Sequence, residues 1–535
     1  MNYPSIFNDV LGPVMRGPSS SHCAASLRIG RICRDLMDGQ LQQVVVQYDP
    51  QGSLATTHKS QGSDMGLFGG LLGWEADEER LPHYQEAIAA AGIDIQIKIE
   101  PIHADHPNTY KLSLFNDLEM RELTAISTGG GMIEVVAIDG CKVSMYGDFF
   151  ETLVYVTEKE TAQILAYLEA TIESDALIVC TGRTRFIQVK SQAFLPANIL
   201  KELQEMEGVS LVKQLHPVLP VPSRKNLSVP FLTCEEMLAY NEKKQLELWE
   251  LAIYYESARG NLPHEEVYAR MKNLLNIMRN AIQLGLQGTK YQDRILGAQS
   301  IDFQSKMDTG GLVKGDVLNR IILYVSAMME VKSSMGVIVA APTAGSCGAL
   351  PGAVIGTASA LDLSEDEEIK AMLVAGLIGV FISAHATFAA EVGGCMAECG
   401  SGSGMAAAAI VSLAKGSLEQ SLSAASQALQ NSLGMICDPI ANRVEAPCLG
   451  RNVLAASNAL SCANMALANY DSLIPLDEVI ETMDKVGNSI AHELRCTALG
   501  GLSITKTSRE IEARLNDTPT GEDTLAVAAR RFKIC

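Results

Sequence analysis

Aromatic residues are scarce in this chain: 5% of its 535 residues, within a hydrophobic total of 47%. The core must therefore be built from Ala, Leu, Ile, Val and Met, which suits closely packed helices. Basic charge is also short. The formal net charge of −20 argues against a nucleic-acid surface, which needs a basic face, and disfavours anionic membranes. No CxxC pair occurs, so a zinc ribbon has little support. The 13 cysteines are odd in number, and residues 1–10 are polar, with Asp9 among them, so no secretory leader is expected. Reduced thiols in a soluble, cytoplasmic protein are expected rather than a disulfide framework. There is no low-complexity tract and no short internal repeat. One apolar run, residues 371–390, has the length of a membrane span. Gly, Ala, Ser and His385 dilute it and no second span accompanies it, so a buried helix is expected.

What is present divides into three zones, together a multidomain α+β chain. Residues 1–150 mix strands and helices. Ile93, Ile95, Ile97 and Ile99 alternate with polar residues as a half-buried strand requires. Residues 44–47 and 132–138 also read as strands, and Gly129, Gly130 and Gly131 as a turn or a close backbone approach. Residues 151–220 read as strand 153–157, helix 160–172, strands 177–180 and 186–189, helix 199–206 and strand 209–215. This βαββαβ order is similar to that of an ACT domain, a module that often binds amino acids; a purely structural unit is the alternative. Pro217, Pro220 and Pro222 form a stiff linker. From 221 to 535 helical periodicity dominates, with helices near 235–258, 264–285, 315–331, 366–390, 404–414, 418–433 and 452–468, so an all-α domain with a C-terminal tail is expected.

Three stretches of the helical zone are rich in glycine and cysteine: residues 341–348 (APTAGSCG), 391–404 (EVGGCMAECGSGSG) and 437–448 (CDPIANRVEAPC). Glycine is costly inside helices, so these are loops or helix starts that bring backbone close to something. Thiolates are soft ligands suited to zinc or iron–sulfur clusters. The spacing alone leaves both metal binding and ordinary buried thiols open.

The motifs resemble those of the iron–sulfur-dependent L-serine dehydratases (L-serine ammonia-lyases), in a single-chain form with an ACT-like domain. Gly394-Cys395-Met396-Ala397-Glu398, Cys437-Asp438-Pro439 and Pro447-Cys448-Leu449-Gly450-Arg451-Asn452 match that family's three cysteine contexts, and residues 341–346 match its APTAGS stretch. In the first zone GPSSSH (residues 17–22), GSLA (52–55), HPN (106–108) and the glycines 129–131 follow in order.

The resemblance implies a helical catalytic domain holding a [4Fe-4S] cluster on Cys395, Cys437 and Cys448, with Cys535 as the fourth, displaceable ligand. It implies Ser21, His22 and His58 as catalytic residues, and Ser19, Ser20, Asn108, Thr343, Ser346 and Asn452 as substrate contacts. It further implies a homodimer, a small amino-acid substrate, no membrane or nucleic-acid partner, and a place in serine catabolism and gluconeogenesis. Glu398 and Arg451 are read as an orienting ion pair or as ordinary helix-surface charges, and Cys347 and Cys399 as packing residues.

The chain departs from the family pattern at three points. Cys23 follows the SSSH motif where threonine is usual. Gln61 stands where a histidine is usual, so that histidine's role is either moved to His58, three residues earlier, or lost. Gly450 replaces an acid. These departures leave three readings: L-serine ammonia-lyase; a dehydratase or desulfidase of another β-substituted amino acid; and a non-catalytic amino-acid or redox sensor. A hydrolase on Ser21 and His22 is disfavoured because sequence neighbours do not present a nucleophile–base pair, and no Schiff-base lysine in a phosphate-cup context is evident.

Overall fold

A computed structural model describes residues 3–517. Its larger sheet has six strands in the order Asp94–Ile99, Gln43–Tyr48, Thr109–Phe115, Met120–Gly129, Met132–Ile138, Cys141–Met145. The first two are parallel and the rest antiparallel. Alternation does the sorting: Val44, Val46, Tyr110, Leu112, Leu123, Ala125, Ile133 and Val135 are buried in one core with helices Ala25–Leu36 and Ser63–Leu71. Those two helices cross closely because Gly70 has no side chain; a Cβ there would lie 2.1 Å from the Leu27 carbonyl oxygen.

The second sheet has the order Val209–Leu215, Phe150–Val156, Arg185–Ser191, Ala176–Thr181, antiparallel throughout. With helices Thr161–Thr171 and Ala197–Glu205 it realises the expected βαββαβ order. One face makes its own core from Val154, Ile164, Leu168, Ile187, Val189 and Leu203. Leu153, Tyr155, Phe186 and Leu215 on the other face join the core of the first sheet. Lys213, buried between the two sheets, donates to Asp38 at 2.7 Å and Glu119 at 2.6 Å. The unit is thus docked through both apolar packing and a paired charge.

Beyond the linker the chain is helical, and its core is the Ala-, Ile-, Leu-, Met- and Val-rich one that the scarcity of aromatics demands. Helix Glu365–His385 starts on a Ser364–Glu367 capping box. It is the only described helix long and apolar enough to cross a membrane, and 78% of its most apolar window is buried, in keeping with a core helix.

Two helix readings are corrected. The stretch 235–258 is two helices, Cys234–Asn241 and Leu248–Gly260. The Asn241 side chain brackets Leu246 through its N–H and carbonyl, Gln245 takes a left-handed conformation, and a Glu247–Glu250 capping box restarts the helix. The helix expected to reach 390 stops at His385. Ala386 is extended, and the Thr387 hydroxyl accepts from the Ala389 N–H before a new helix, Ala390–Cys395.

The N-terminal segment ties the zones together. Ser5 and the Ile6 N–H both donate to the buried Glu256 carboxylate, at 2.5 and 2.7 Å. Ile6 and Val10 fill the space left by Gly376 and Gly379 of the long helix. Val14 and Met15 then pair antiparallel with Val339 and Ile338. That short ladder delivers residues 17–22 to the loop at 341–346.

Candidate active site

Ser20–Ala24 forms one wide helical turn that runs directly into helix Ala25–Leu36. Its residues are buried, and their polar groups are used across the seam between zones. The Ser20 hydroxyl accepts from the Ala344 N–H at 3.1 Å. The Ser21 hydroxyl donates to Glu391 at 2.8 Å. The Ser21 carbonyl accepts from the Ser127 hydroxyl at 2.7 Å, and the Ser127 N–H donates to the Asn108 carbonyl at 3.0 Å. Strand Met120–Gly129 thereby fixes both motifs. Its hairpin tip needs glycine: Gly129 has φ +106°, and a Cβ there would lie 2.9 Å from that of Ala389. The tip abuts the residue that precedes the helix bearing Glu391 and Cys395.

His22 is fully buried. Its Nδ1 lies 3.0 Å from the Ser19 hydroxyl and 3.2 Å from that of Ser21, and its Nε2 lies 2.9 Å from Thr57. Burial lowers its pKa, Glu391 partly restores it, and His58 lowers it further. The ring is therefore neutral at neutral pH and able to take a proton. His58 turns Nδ1 to the Asp64 carboxylate at 2.8 and 2.9 Å, which holds the ring proton on that nitrogen and leaves Nε2 as the acceptor. Asn108 is buried, and its Oδ1 has no partner, an acceptor waiting for a donor. Gln61 does not take over the place of an acid–base residue: its amide donates to Asn442 at 3.1 Å and approaches the Cys496 sulfur at 3.9 Å.

On the helical side the Thr343 hydroxyl donates to Glu398 at 2.7 Å. Burial, then the neighbouring Cys395 thiolate, push the Glu398 carboxyl up to about 8. Ser346 is buried against Thr343 at 3.1 Å. Asn452 accepts from the Gly348 and Ala349 N–H groups and donates to the Gly345 and Cys448 carbonyls. Ser346 and Asn452 thus brace the 341–349 loop against the helix that begins at Cys448. The expected Glu398–Arg451 ion pair does not form, nor are these surface charges. Arg451 pairs with Asp438 and donates to the Cys395 sulfur at 3.2 Å, because the 437–439 turn presents Asp438 to it first. Gly450 is exposed, with open space around the position a Cβ would take.

All twelve described cysteines are buried and free. Cys395 ends its helix, Cys437 lies in extended chain bridged to Arg495, and Cys448 opens helix Cys448–Leu467. The Cys437 thiol packs with those of Cys395 and Cys496. The neighbouring Cys437 thiol, followed by the Arg451 charge, holds the Cys395 thiol below its usual range. Burial raises Cys448. Cys347 lies against Met329, and Cys399 receives the Asn452 amide at 3.7 Å. Cys535 lies outside the described residues.

Among the described residues no three Cys, His, Asp or Glu side chains close on a single metal ion. A cluster sets a different demand, since each thiolate binds a different iron and the ligands stand apart. Buried thiols without disulfides, with a guanidinium on one sulfur, fit such a group in chemical type.

Several site residues were not singled out from sequence: Glu391, Thr57, Asp64, Asp438, Cys496, and Lys332, whose buried ammonium donates to the Val444 carbonyl in the turn before Cys448. Glu391 had a signal, since it opens the stretch containing Cys395, and so did Asp438, which lies inside the Cys437-Asp438-Pro439 motif.

Comparison with known proteins agrees with this layout. The family model "Serine dehydratase beta chain" matches residues 9–101, and "Serine dehydratase alpha chain" matches residues 243–503. A probable L-serine dehydratase alpha chain of Bacillus subtilis is 38% identical over 285 residues, covering 53% of this chain and 95% of that one. The corresponding probable beta chain of the same organism is 32% identical over 221 residues, covering 40% and 99%. An L-serine dehydratase of Helicobacter pylori is 27% identical over 517 residues, covering 91% and 96%. The serine and histidine motif of the first zone and the cysteine loops of the third are thus the two halves of one enzyme, and the chain belongs to the serine dehydratase family of lyases, with its beta and alpha parts fused.

Proposed function

We propose that the protein is an L-serine ammonia-lyase that converts L-serine to pyruvate and ammonia, with a [4Fe-4S] cluster held by Cys395, Cys437 and Cys448. The observation that carries this reading is the junction at Glu391. The residue that accepts from Ser21 lies one turn before Cys395, so the serine and histidine motif meets the thiol set across the zone boundary.

Dehydration requires loss of the Cα proton and departure of the β-hydroxyl, a poor leaving group. When bound, the cluster supplies Lewis acidity at an iron not saturated by protein ligands. The chain's own residues do the rest. Ser19, Ser20 and the backbone of the 19–22 turn, with Thr343, receive the carboxylate. The free acceptor on Asn108 receives the ammonium. An imidazole, His22 or His58, takes the Cα proton; His22 is kept neutral by burial and His58 is oriented by Asp64. The proton taken from Cα passes to the β-oxygen as the Cβ–O bond breaks, so that oxygen departs as water, and the enamine left behind tautomerises and hydrolyses. The βαββαβ unit acts as an ACT-like module docked on the first sheet.

The test is anaerobic purification followed by assay of 2-oxo-acid formation from a panel of β-hydroxy and β-thiol amino acids. Pyruvate from L-serine as the preferred reaction supports the assignment. Preference for a β-thiol substrate favours the desulfidase reading, and an iron-loaded protein inert to the whole panel favours the sensor.

A further inference from the structure

Cys496 is the thiol that sequence reasoning passed over, and three features set it apart from the other buried cysteines. It packs with two of the cluster thiols: Cys395, Cys437 and Cys496 share one small buried group with Ala390. Its position is pinned by backbone. The Cys437 N–H donates to the Leu494 carbonyl at 2.8 Å, and the Cys496 N–H returns to the Cys437 carbonyl at 3.0 Å. The segment that follows is clasped to the same turn, with Asp438 accepting from the Leu502 N–H at 2.7 Å and Ser503 donating to the Pro439 carbonyl at 2.8 Å. Finally, Cys496 has φ +57°, a left-handed conformation that disfavours any side chain and persists only where surrounding structure imposes it.

On its other side Cys496 meets the first zone. The amide of Gln61, itself buried, lies 3.9 Å from the sulfur. Gln61 is three residues from His58, so Cys496 stands between the thiol set and the proton-handling side of the site.

We infer that Cys496 is the fourth thiolate of the cluster site, occupying in the resting enzyme the iron position that Cys395, Cys437 and Cys448 leave open. This rests on the cluster reading given above. Coordination breaks the S–H bond, releases the proton to solvent and forms an S–Fe bond from the sulfur lone pair, with no change in oxidation state. The terminal Cys535, assigned to this position from the resemblance, is then not required for it. Gln61, carrying no charge, solvates the Cys496 sulfur with an amide N–H without competing for its proton.

The experiment uses full-length protein purified and reconstituted without oxygen, as wild type, Cys496→Ala, Cys496→Gly and Cys535→Ala. Glycine suits the left-handed backbone, so Cys496→Gly removes the thiol and relieves strain, while Cys496→Ala keeps the Cβ that cysteine already has. Iron and acid-labile sulfide are counted per chain, and EPR spectra are taken over a timed exposure to air. Both Cys496 variants are expected to hold wild-type iron before exposure. In air they should convert to the three-iron form at least several-fold faster than wild type, while Cys535→Ala keeps wild-type kinetics. Wild-type air stability in Cys496→Gly, or fragility confined to Cys535→Ala, overturns the inference. Complete absence of iron from a folded Cys496→Gly overturns it too, because Cys496 would then be an obligatory holder rather than a cap. Iron-free wild-type protein is a different failure, that of the cluster reading itself.

Discussion

The Ser21 hydroxyl donates to Glu391 Oε1 at 2.8 Å, and this bond joins the beta-type and alpha-type parts of the chain at the site. A hydrogen bond to a charged group contributes about 1.5–3 kcal/mol. Glu391→Ala is therefore expected to lower kcat for pyruvate formation by up to roughly 10- to 150-fold and to lower the thermal midpoint measurably, with iron content close to wild type. Glu391→Gln, which keeps an acceptor, should recover part of the loss. Initial rates against L-serine check this, and unchanged rates in Glu391→Ala would remove the residue from the site.

His22 gives the pH dependence a definite sign. Burial holds its pKa below 6.5 and the Glu391 charge raises it. The neutral ring is the active form, so kcat/KM should fall on the acid side only below pH 6.5. Replacing Glu391 by Gln removes the raising charge, so the acid limb should move to lower pH in that variant. An acid limb above pH 6.5, or one that moves upward, would show that another group governs the protonation.

His58 and Gln61 stand three residues apart in different roles. His58→Ala is expected to lower kcat by about 10²–10⁴, because the Asp64-oriented imidazole is lost. Gln61→Ala should cost less than about tenfold in kcat, the range of one neutral hydrogen bond, since its amide serves Asn442 and Cys496 rather than the reacting atoms. A larger effect from Gln61→Ala than from His58→Ala would reverse these assignments.

Glu256 predicts a stability effect far from the chemistry. Burial raises its carboxyl from 4.5 to about 7, against the bonds from Ser5 and the Ile6 N–H. The folded state thus favours the protonated acid. Its favourable share is present below pH 4.5 and lost as pH rises to about 7. Relative to Glu256→Gln, the wild-type thermal midpoint should fall across that interval and level off above it. The difference is on the order of 3 kcal/mol at most. A pH-independent gap between the two proteins in thermal melts would count against a buried, raised carboxyl.

Much of this architecture was legible in the sequence because it rests on local patterns. The alternating Val44–Val46 and Ile133–Val135 runs formed strands, and the βαββαβ order appeared as read. The cysteine loops were found because glycine and proline mark them. What escaped was long-range. The Ser5–Val10 segment reads as a polar start, yet it threads the helical core because Gly376 and Gly379 leave room for Ile6 and Val10. Cys496 lies in a stretch with no motif spacing, and only the backbone ladder to Cys437 brings it to the other thiols. Glu398 and Arg451 read as an ion pair near the cysteines or as ordinary surface charges, and they are neither. Asp438 wins that contact because its turn faces the first turn of the Cys448 helix.

The most direct test of the account is one preparation measured two ways. The protein is purified without oxygen, its iron and acid-labile sulfide are counted per chain, and pyruvate formation from L-serine is followed before and after iron is removed by chelation. The account predicts about four irons and four sulfides per chain, L-serine-dependent pyruvate, loss of activity on chelation, and absence of the cluster in Cys395→Ala, Cys437→Ala and Cys448→Ala. Iron-free protein that forms pyruvate at full rate, or normal cluster content in all three variants, would contradict it.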